Sequence, residues 1–470
     1  MRHVEISRWY FFCTIACLSS LFFFVSCNKN TENKTSNIES SQAVASTTLL
    51  ATISNDEKPH SISKSELPNH SMPDDSLTDL FYIDFNQHGK GVAYIANVGN
   101  KTHVVHNGVP GKLFDGYNLA ALQMSPDAKR VVHVAIAQKK WSVVINGVAS
   151  GLYDEVGPPV FSPDSKHVAY EVKNGDTWSI VADSSATSPA LSYYDKPVYS
   201  ADSSKIMIVE NTPDDQKKNI VICSNNLLRI AVIPATAQPM VISADKNRVA
   251  AVSEQNGKYM SIDFAFNKPD VVVKGPLYDS IQHLSISKNG SSLSYLATKG
   301  TATYLILDGK EELLPVGEYP WPPVIRPNGK GAGIVISDKS GAYLYQAFSS
   351  GGKASKHYKE AADLAYSDDG VSLVYGAIQN EKFIAVINGV EGPPFDRVVS
   401  PKFSPDGKYV VYRARKDNLR FVVVADTTGK ILRQHQGYER VFEPVFTADG
   451  ASVAYGVKDG KKLIWKVEKL

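Results

Sequence analysis

Aspartate is the residue whose placement in this chain most invites a chemical reading. Five of them follow an aromatic residue, as Phe114-Asp115, Tyr153-Asp154, Tyr194-Asp195, Tyr278-Asp279 and Phe395-Asp396. A carboxylate repeated at one place can hold a cationic or hydrogen-bonding ligand. It can equally close an Asx turn on the local backbone. A second set, Asp127, Asp164, Asp202, Asp245, Asp369, Asp406 and Asp449, sits in Ser-Pro-Asp-Gly and related tetrapeptides, with Asn289 and Asn328 at the same place in two more copies. There Pro fixes φ for a turn, Asp bonds its own backbone and Gly accepts positive φ, so these residues read as turn formers rather than catalysts.

Other chemistry is sparse. The chain has no Gly-x-Ser-x-Gly nucleophile elbow, which an α/β-hydrolase requires, and no His-Glu-x-x-His. His103 and His106 are three apart on an expected strand and so lie on opposite faces. No catalytic residue, metal site or cofactor is assigned. The Tyr319-Pro320-Trp321-Pro322-Pro323 segment offers Trp321 as a further contact for a ligand, against a packed indole in a rigid connector.

The elements that must position these residues repeat. An apolar anchor before the turn recurs at Phe85, Met124, Phe161, Tyr199, Ile242, Ile286, Ile325, Tyr366, Phe403 and Phe446, at intervals of 37 to 44 residues, the length of a four-stranded propeller blade. Nine residues on, Tyr94, Tyr170, Tyr295, Tyr375, Tyr412 and Tyr455 mark a second strand and suit packing between blades. A third strand ends in Asn107-Gly108, Asn146-Gly147, Asp308-Gly309 or Asn388-Gly389, which favour type I′ turns. Strand alternation then puts the aromatic-Asp pairs at the end of each blade opposite the Asp-Gly hairpins, beside basic loops such as Lys139-Lys140.

The expected fold is all-β, a propeller of about ten four-stranded repeats over residues 81–470, as one large ring or two smaller ones. The Ser-Pro-Asp-Gly hairpins followed by Tyr-bearing strands resemble the TolB-type, WD-like propeller repeats of bacterial envelope proteins. That resemblance implies a fold and leaves function open, because such repeats serve scaffolds and enzymes alike.

The N-terminus supplies an address. Arg2 and Arg8 precede an apolar run from Tyr10 to Val25, too short to span a bilayer, which reads as a signal peptide over residues 1–26. Phe24-Val25-Ser26-Cys27 resembles a lipobox in which Cys27 receives the lipid; an ordinary cleaved signal and an uncleaved anchor are the alternatives. Residues 27–80 read as a low-complexity tether, disordered because from Asn28 to Leu80 there is no Phe, Tyr or Trp. The stretch Val44 to Ile53 is more apolar. The last repeat stops after its third strand, and this stretch is expected to supply the fourth.

The formal net charge of +2 shows no nucleic-acid footprint. These readings converge on a non-enzymatic binding or scaffold lipoprotein of the bacterial envelope, anchored at the outer membrane and facing the periplasm or the cell surface. Its partner is expected to be a protein, peptide or glycan held on one propeller face at Asp115, Asp154, Asp195, Asp279, Asp396 and Trp321. The rival is a glycan-acting lyase or hydrolase with its site in the propeller channel.

Overall fold

The computed structural model describes residues 45–59, 83–86, 88–183, 185–191, 195–211, 218–236, 239–349 and 352–470. The signal segment, Cys27, most of the tether and Tyr194 lie outside the described residues.

Each repeat forms one antiparallel sheet with its strands in chain order, and there are ten such sheets among the described residues. The first hairpin works as its residues dictate. The Ser404 hydroxyl donates to Asp406 at 2.6 Å, Asp406 accepts the Lys408 N–H, and Gly407 takes φ 73°. The same Ser-to-Asp bond recurs from Ser125, Ser162, Ser200, Ser243 and Ser367, with Thr447 replacing Ser in the last blade. The second hairpin is left-handed at both central residues, for example Asn146 at 49° and Gly147 at 78°, as a type I′ turn requires.

First strands of successive blades touch one another. Ser280–Ile286 packs on Val324–Ile325, which packs on Glu360–Tyr366. Fourth strands end instead on exposed Val109, Val148 and Val390. The first strands therefore line the central channel and the fourth form the rim.

One hydrophobic cluster lies at each junction between blades. Tyr170 packs with Val132 and Val143 of blade 2, Tyr375 with Val335 and Leu344 of blade 7, and Tyr455 with Val411 and Val422 of blade 9. A further cluster joins Ala51, Ile53 and Leu463 of blade 10 to Ile83, Val92 and Tyr94 of blade 1. Because each blade shares a core cluster with the blade before it and the blade after it, and blade 10 packs on blade 1, the ten form a single ring.

Ser46–Thr52 closes that ring. It runs antiparallel to Lys462–Lys469, with Ser46 opposite Val467 and Thr52 opposite Lys462, as the fourth strand of blade 10. The chain then crosses into blade 1, where Glu57 accepts the Tyr94 hydroxyl at 2.8 Å and lies 3.1 Å from His103 Nε2. Lys58–Pro59 and Ile83–Phe85 both pair with Val92–Val98, as two halves of the first strand of blade 1.

Candidate functional site

Four of the five predicted aspartates share one arrangement. Asp154 accepts the Gly175 N–H, in the second-to-third-strand turn of the next blade, at 2.8 Å, and its other oxygen is 3.0 Å from Lys140 Nζ in its own blade. Asp279 bonds Gly300 N–H and pairs with Lys258. Asp396 bonds Asp417 N–H and lies 2.7 Å from Lys382. Asp115 pairs with Lys101 and accepts from the Gln138 backbone. Each carboxyl is held below its usual range, by the Gly175 N–H first for Asp154 and by the lysine first for the other three. The preceding aromatics Phe114, Tyr153, Tyr278 and Phe395 bridge to the third strands of their own blades. The arrangement is a latch from one blade to the next, and it occupies the carboxylate oxygens that a ligand would use.

Asp195 departs from this pattern because its blade carries Thr177 where the others carry the lysine. Among the described residues its side chain accepts the Lys196 N–H, at 2.7 Å, and burial raises its pKa. Trp321 is 47% exposed, in the segment that leads into the first strand of blade 7. The structure does not bring the five aspartates and Trp321 together, since they belong to different blade junctions around the ring.

The inner strands hold what the repeat pattern did not reveal. Most lose regular pairing midway, at Gly157-Pro158-Pro159 in blade 3, between Gln282 and Ser285 in blade 6, between Ala362 and Ala365 in blade 8, and between Val399 and Lys402 in blade 9. His283, Asp363 and Ser400 take φ of 54°, 57° and 53° there, the strained geometry with which bulges redirect side chains. Each stands three residues before its anchor. The equivalent residues elsewhere include Lys196 and Glu443, so polar side chains recur at one level of the channel wall.

Two clusters result. Across blades 8 to 10, Glu443 pairs with Lys402 at 2.7 Å and with Arg413 at 3.1 Å, while Asp363 accepts the Ser400 N–H at 3.3 Å. Between blades 3 and 4, Glu171 lies near Asp195 and Lys196. Burial pushes Glu171 up to about 8, helped by the Asp195 charge, and lowers Lys196. In the other blades the Glu171 position carries Ile95, Val134, Val209, Val252, Leu296, Val335, Gly376, Arg413 or Gly456. Placing the ten second strands in register would have shown Glu171 and Arg413 as the two charged residues in that column.

Among the described residues no three metal-ligating side chains converge, and no helix is long and apolar enough to cross a membrane. Asp426 accepts from Thr428 and Lys430 backbone N–H groups, so Ala425-Asp426-Thr427-Thr428-Gly429-Lys430 is a hairpin turn.

No family model matches the chain, and no curated protein does. Among solved structures, a eukaryotic initiation factor is similar at 13% identity and TM-score 0.44, over 75% of this chain and 97% of that one. TolB from Acinetobacter baumannii is similar at 16% identity and TM-score 0.29, over 50% and 66%. An oligogalacturonate lyase from Vibrio parahaemolyticus is similar at 12% identity and TM-score 0.31, over 67% and 96%. Likeness of this degree carries nothing about function, and by its own strand order and blade junctions the chain is a ten-bladed β-propeller.

Proposed function

We propose that this protein is a non-enzymatic binding or scaffold lipoprotein of the bacterial cell envelope, anchored through Cys27. It holds a protein, peptide or glycan partner at the end of the propeller that carries Asp115, Asp154, Asp195, Asp279, Asp396 and Trp321. The observation that carries this reading is the break in the inner strands, which sets Lys196, His283, Asp363, Ser400 and Glu443 around one channel. A rigid ring with polar groups at its axis is a surface built for recognition. The latched aspartates fix the loops at the mouth of that channel, and loops on such a scaffold can vary without disturbing the blades.

Two measurements test it. Affinity capture of the full-length protein from its own cross-linked envelope should recover a stoichiometric partner. Cys27→Ser should abolish lipid labelling and release the protein from membranes, since a single acylated cysteine is the attachment. Recovery without a partner, together with unchanged membrane fractionation of the Ser variant, would refute both halves of the proposal.

A further inference from the structure

A strand at the edge of a sheet offers unpaired N–H and C=O groups, and proteins ordinarily keep such edges short, charged or covered. In seven blades the fourth strand is short, with two residues, as in Val148–Ala149, or four, as in Lys310–Leu313. The closing strand of blade 10 is longer but begins Ser46-Thr47-Thr48. Blades 4 and 5 differ from all of these. Their fourth strands, Arg229–Ala235 and Lys268–Lys274, have seven residues each, are rich in Val and Ile, and lie side by side on the rim. An apolar groove of about 440 Å³ separates them, walled by Ala231 and Ile233 on one side and Val272 on the other. Lys268–Lys274 is in register with its own sheet only near its ends, Lys268 opposite Ala265 and Val273 opposite Asp263. A bulge of this kind usually blunts an edge, yet this one leaves Val271 60% and Val273 59% exposed.

We propose that this rim is a two-fold interface between two copies of this chain, formed by antiparallel pairing of Lys268–Lys274 with itself about Val272. The charges select that register. With Val272 opposite Val272, Asp270 of each copy stands opposite Lys274 of the other, Val271 opposite Val273, and Pro269 opposite Gly275. Residues directly opposite on an antiparallel pair share a face, where unlike charges attract and like charges repel. Moving the axis to Val271 sets Lys268 against Lys274. Moving it to Val273 sets Asp270 against Pro276 and Lys274 against Val272. Among the described residues neither Asp270 nor Lys274 has an ion-pair partner in its own chain, whereas nearby Lys258 is paired with Asp279. The strand of blade 4 offers no such match, because Arg229 is already bonded to Glu210 at 2.8 Å and Pro234 lacks an N–H.

An isologous contact uses both edges at once, so association stops at the dimer. The axis stands perpendicular to the sheet of blade 5, which puts blade 4 of both copies on the same side of it. There the exposed Ile230 and Val232 add aliphatic surface beside the strand pair. With Leu228, Val271, Val273 and Leu277, the exposed aliphatic area is on the order of several hundred Å², the scale at which a surface patch is often functional. It falls short of the ~800 Å² per partner of a standard interface, so the dimer is expected to depend on concentration. The chain enters the ring at Ser46 in blade 10, five blades away in either direction, and leaves this side of the rim clear.

Sedimentation velocity of the full-length protein over a concentration series should show a monomer–dimer equilibrium and nothing larger. Asp270→Lys alone, or Lys274→Asp alone, sets two like-charge pairs across the axis and should weaken dimerisation about tenfold. The double variant restores two unlike pairs, as does mixing the two single variants, and each should dimerise within about threefold of the native chain. Val272→Cys stands on the axis, where opposite Cα atoms are ~4.5–5.5 Å apart, within reach of a disulfide. Mild oxidation should cross-link it, while Val390→Cys on the rim of blade 8 should stay monomeric; Cys223 is buried and does not compete. A monomer at every concentration, equal dimerisation of the native and single-charge variants, no rescue by the double variant, or equal cross-linking at Val390→Cys would each overturn the proposal. An envelope protein whose capture is lost on Val271→Lys, with the purified chain monomeric throughout, would refute self-association and assign the edge to that protein.

Discussion

Ser46 and Val467 are cross-strand neighbours, which places the start of the described chain and its last strand in one sheet. A propeller without this pairing would expose both an open edge and the junction between blades 10 and 1. Deleting residues 46–52 should therefore remove cooperative unfolding and admit protease at the blade 10 edge. Ile53→Ala, at a residue 3% exposed in the closing cluster, should cost about 2–4 kcal/mol by denaturant titration. An unchanged unfolding midpoint for both would show that the ring closes some other way.

A second expectation concerns acid. His133 occupies the place that Tyr holds in six blades, sits against Phe114 and Tyr117, and among the described residues has neither ring nitrogen bonded. Burial lowers its pKa to about 4. The unfolded chain, where the ring titrates normally, binds the proton first as pH falls. Stability on this account is complete above about pH 6.5 and declines between there and pH 4. His133→Phe should remove that decline, a gain of about 2 kcal/mol at pH 5 and little at pH 8. Equal midpoint shifts at the two pH values would count against an uncharged, desolvated ring.

Much of this fold is legible in residue types that recur. Tyr94, Tyr170, Tyr375, Tyr412 and Tyr455 are all fully buried between blades, and a turn needing a left-handed residue is announced by Asn388-Gly389. The apolar content of Val44 to Ile53 marked the closing strand for the same reason, since an edge partner must be able to pair. The channel wall was not legible because its residues do not recur. Lys196, His283, Asp363 and Glu443 share a position without sharing a type, and Pro158, Pro239 and Pro322 hold it in other blades. The latch was half legible. The aspartates repeat, but their lysines lie 14 residues earlier in three cases and 21 in the other, across a hairpin whose geometry sequence does not display.

The latch makes its own prediction. Asp154→Ala removes the acceptor of the Gly175 N–H, so amide hydrogen exchange at Gly175 should accelerate while the core strands of blades 2 and 3 keep their protection. Asp154→Asn, which still offers an oxygen, should slow that exchange back toward the native rate. Global stability should barely change, because an exposed ion pair is weak. The lowered carboxyls of Asp154 and Asp279 contribute at neutral pH and lose that contribution as pH falls through their depressed pKa values. Native exchange at Gly175 in the Ala variant would mean that the bond does not persist in solution.

The final prediction asks which end of the ring meets the partner. Asp115, Asp279 and Asp396 lie at one end, and the hairpin aspartates Asp164 and Asp406 lie at the other. In the first set, Asn preserves an acceptor for the turn N–H but leaves Lys101, Lys258 and Lys382 without their carboxylate partners, which changes both the charge and the order of the loops at that mouth. In the second set, Asn keeps the Ser bond and leaves the turn much as it was, as Asn289 already does with Ser287 at 2.7 Å. With a captured partner in hand, the triple Asn variant at the first end should weaken association several-fold, and the double variant at the second should leave it unchanged. Both sets should melt within a degree or two of the native protein, so any loss can be assigned to the surface rather than the fold. Loss confined to the Asp164 and Asp406 variant would move the binding surface to the hairpin end. Equal loss from both would point away from either mouth and toward the rim.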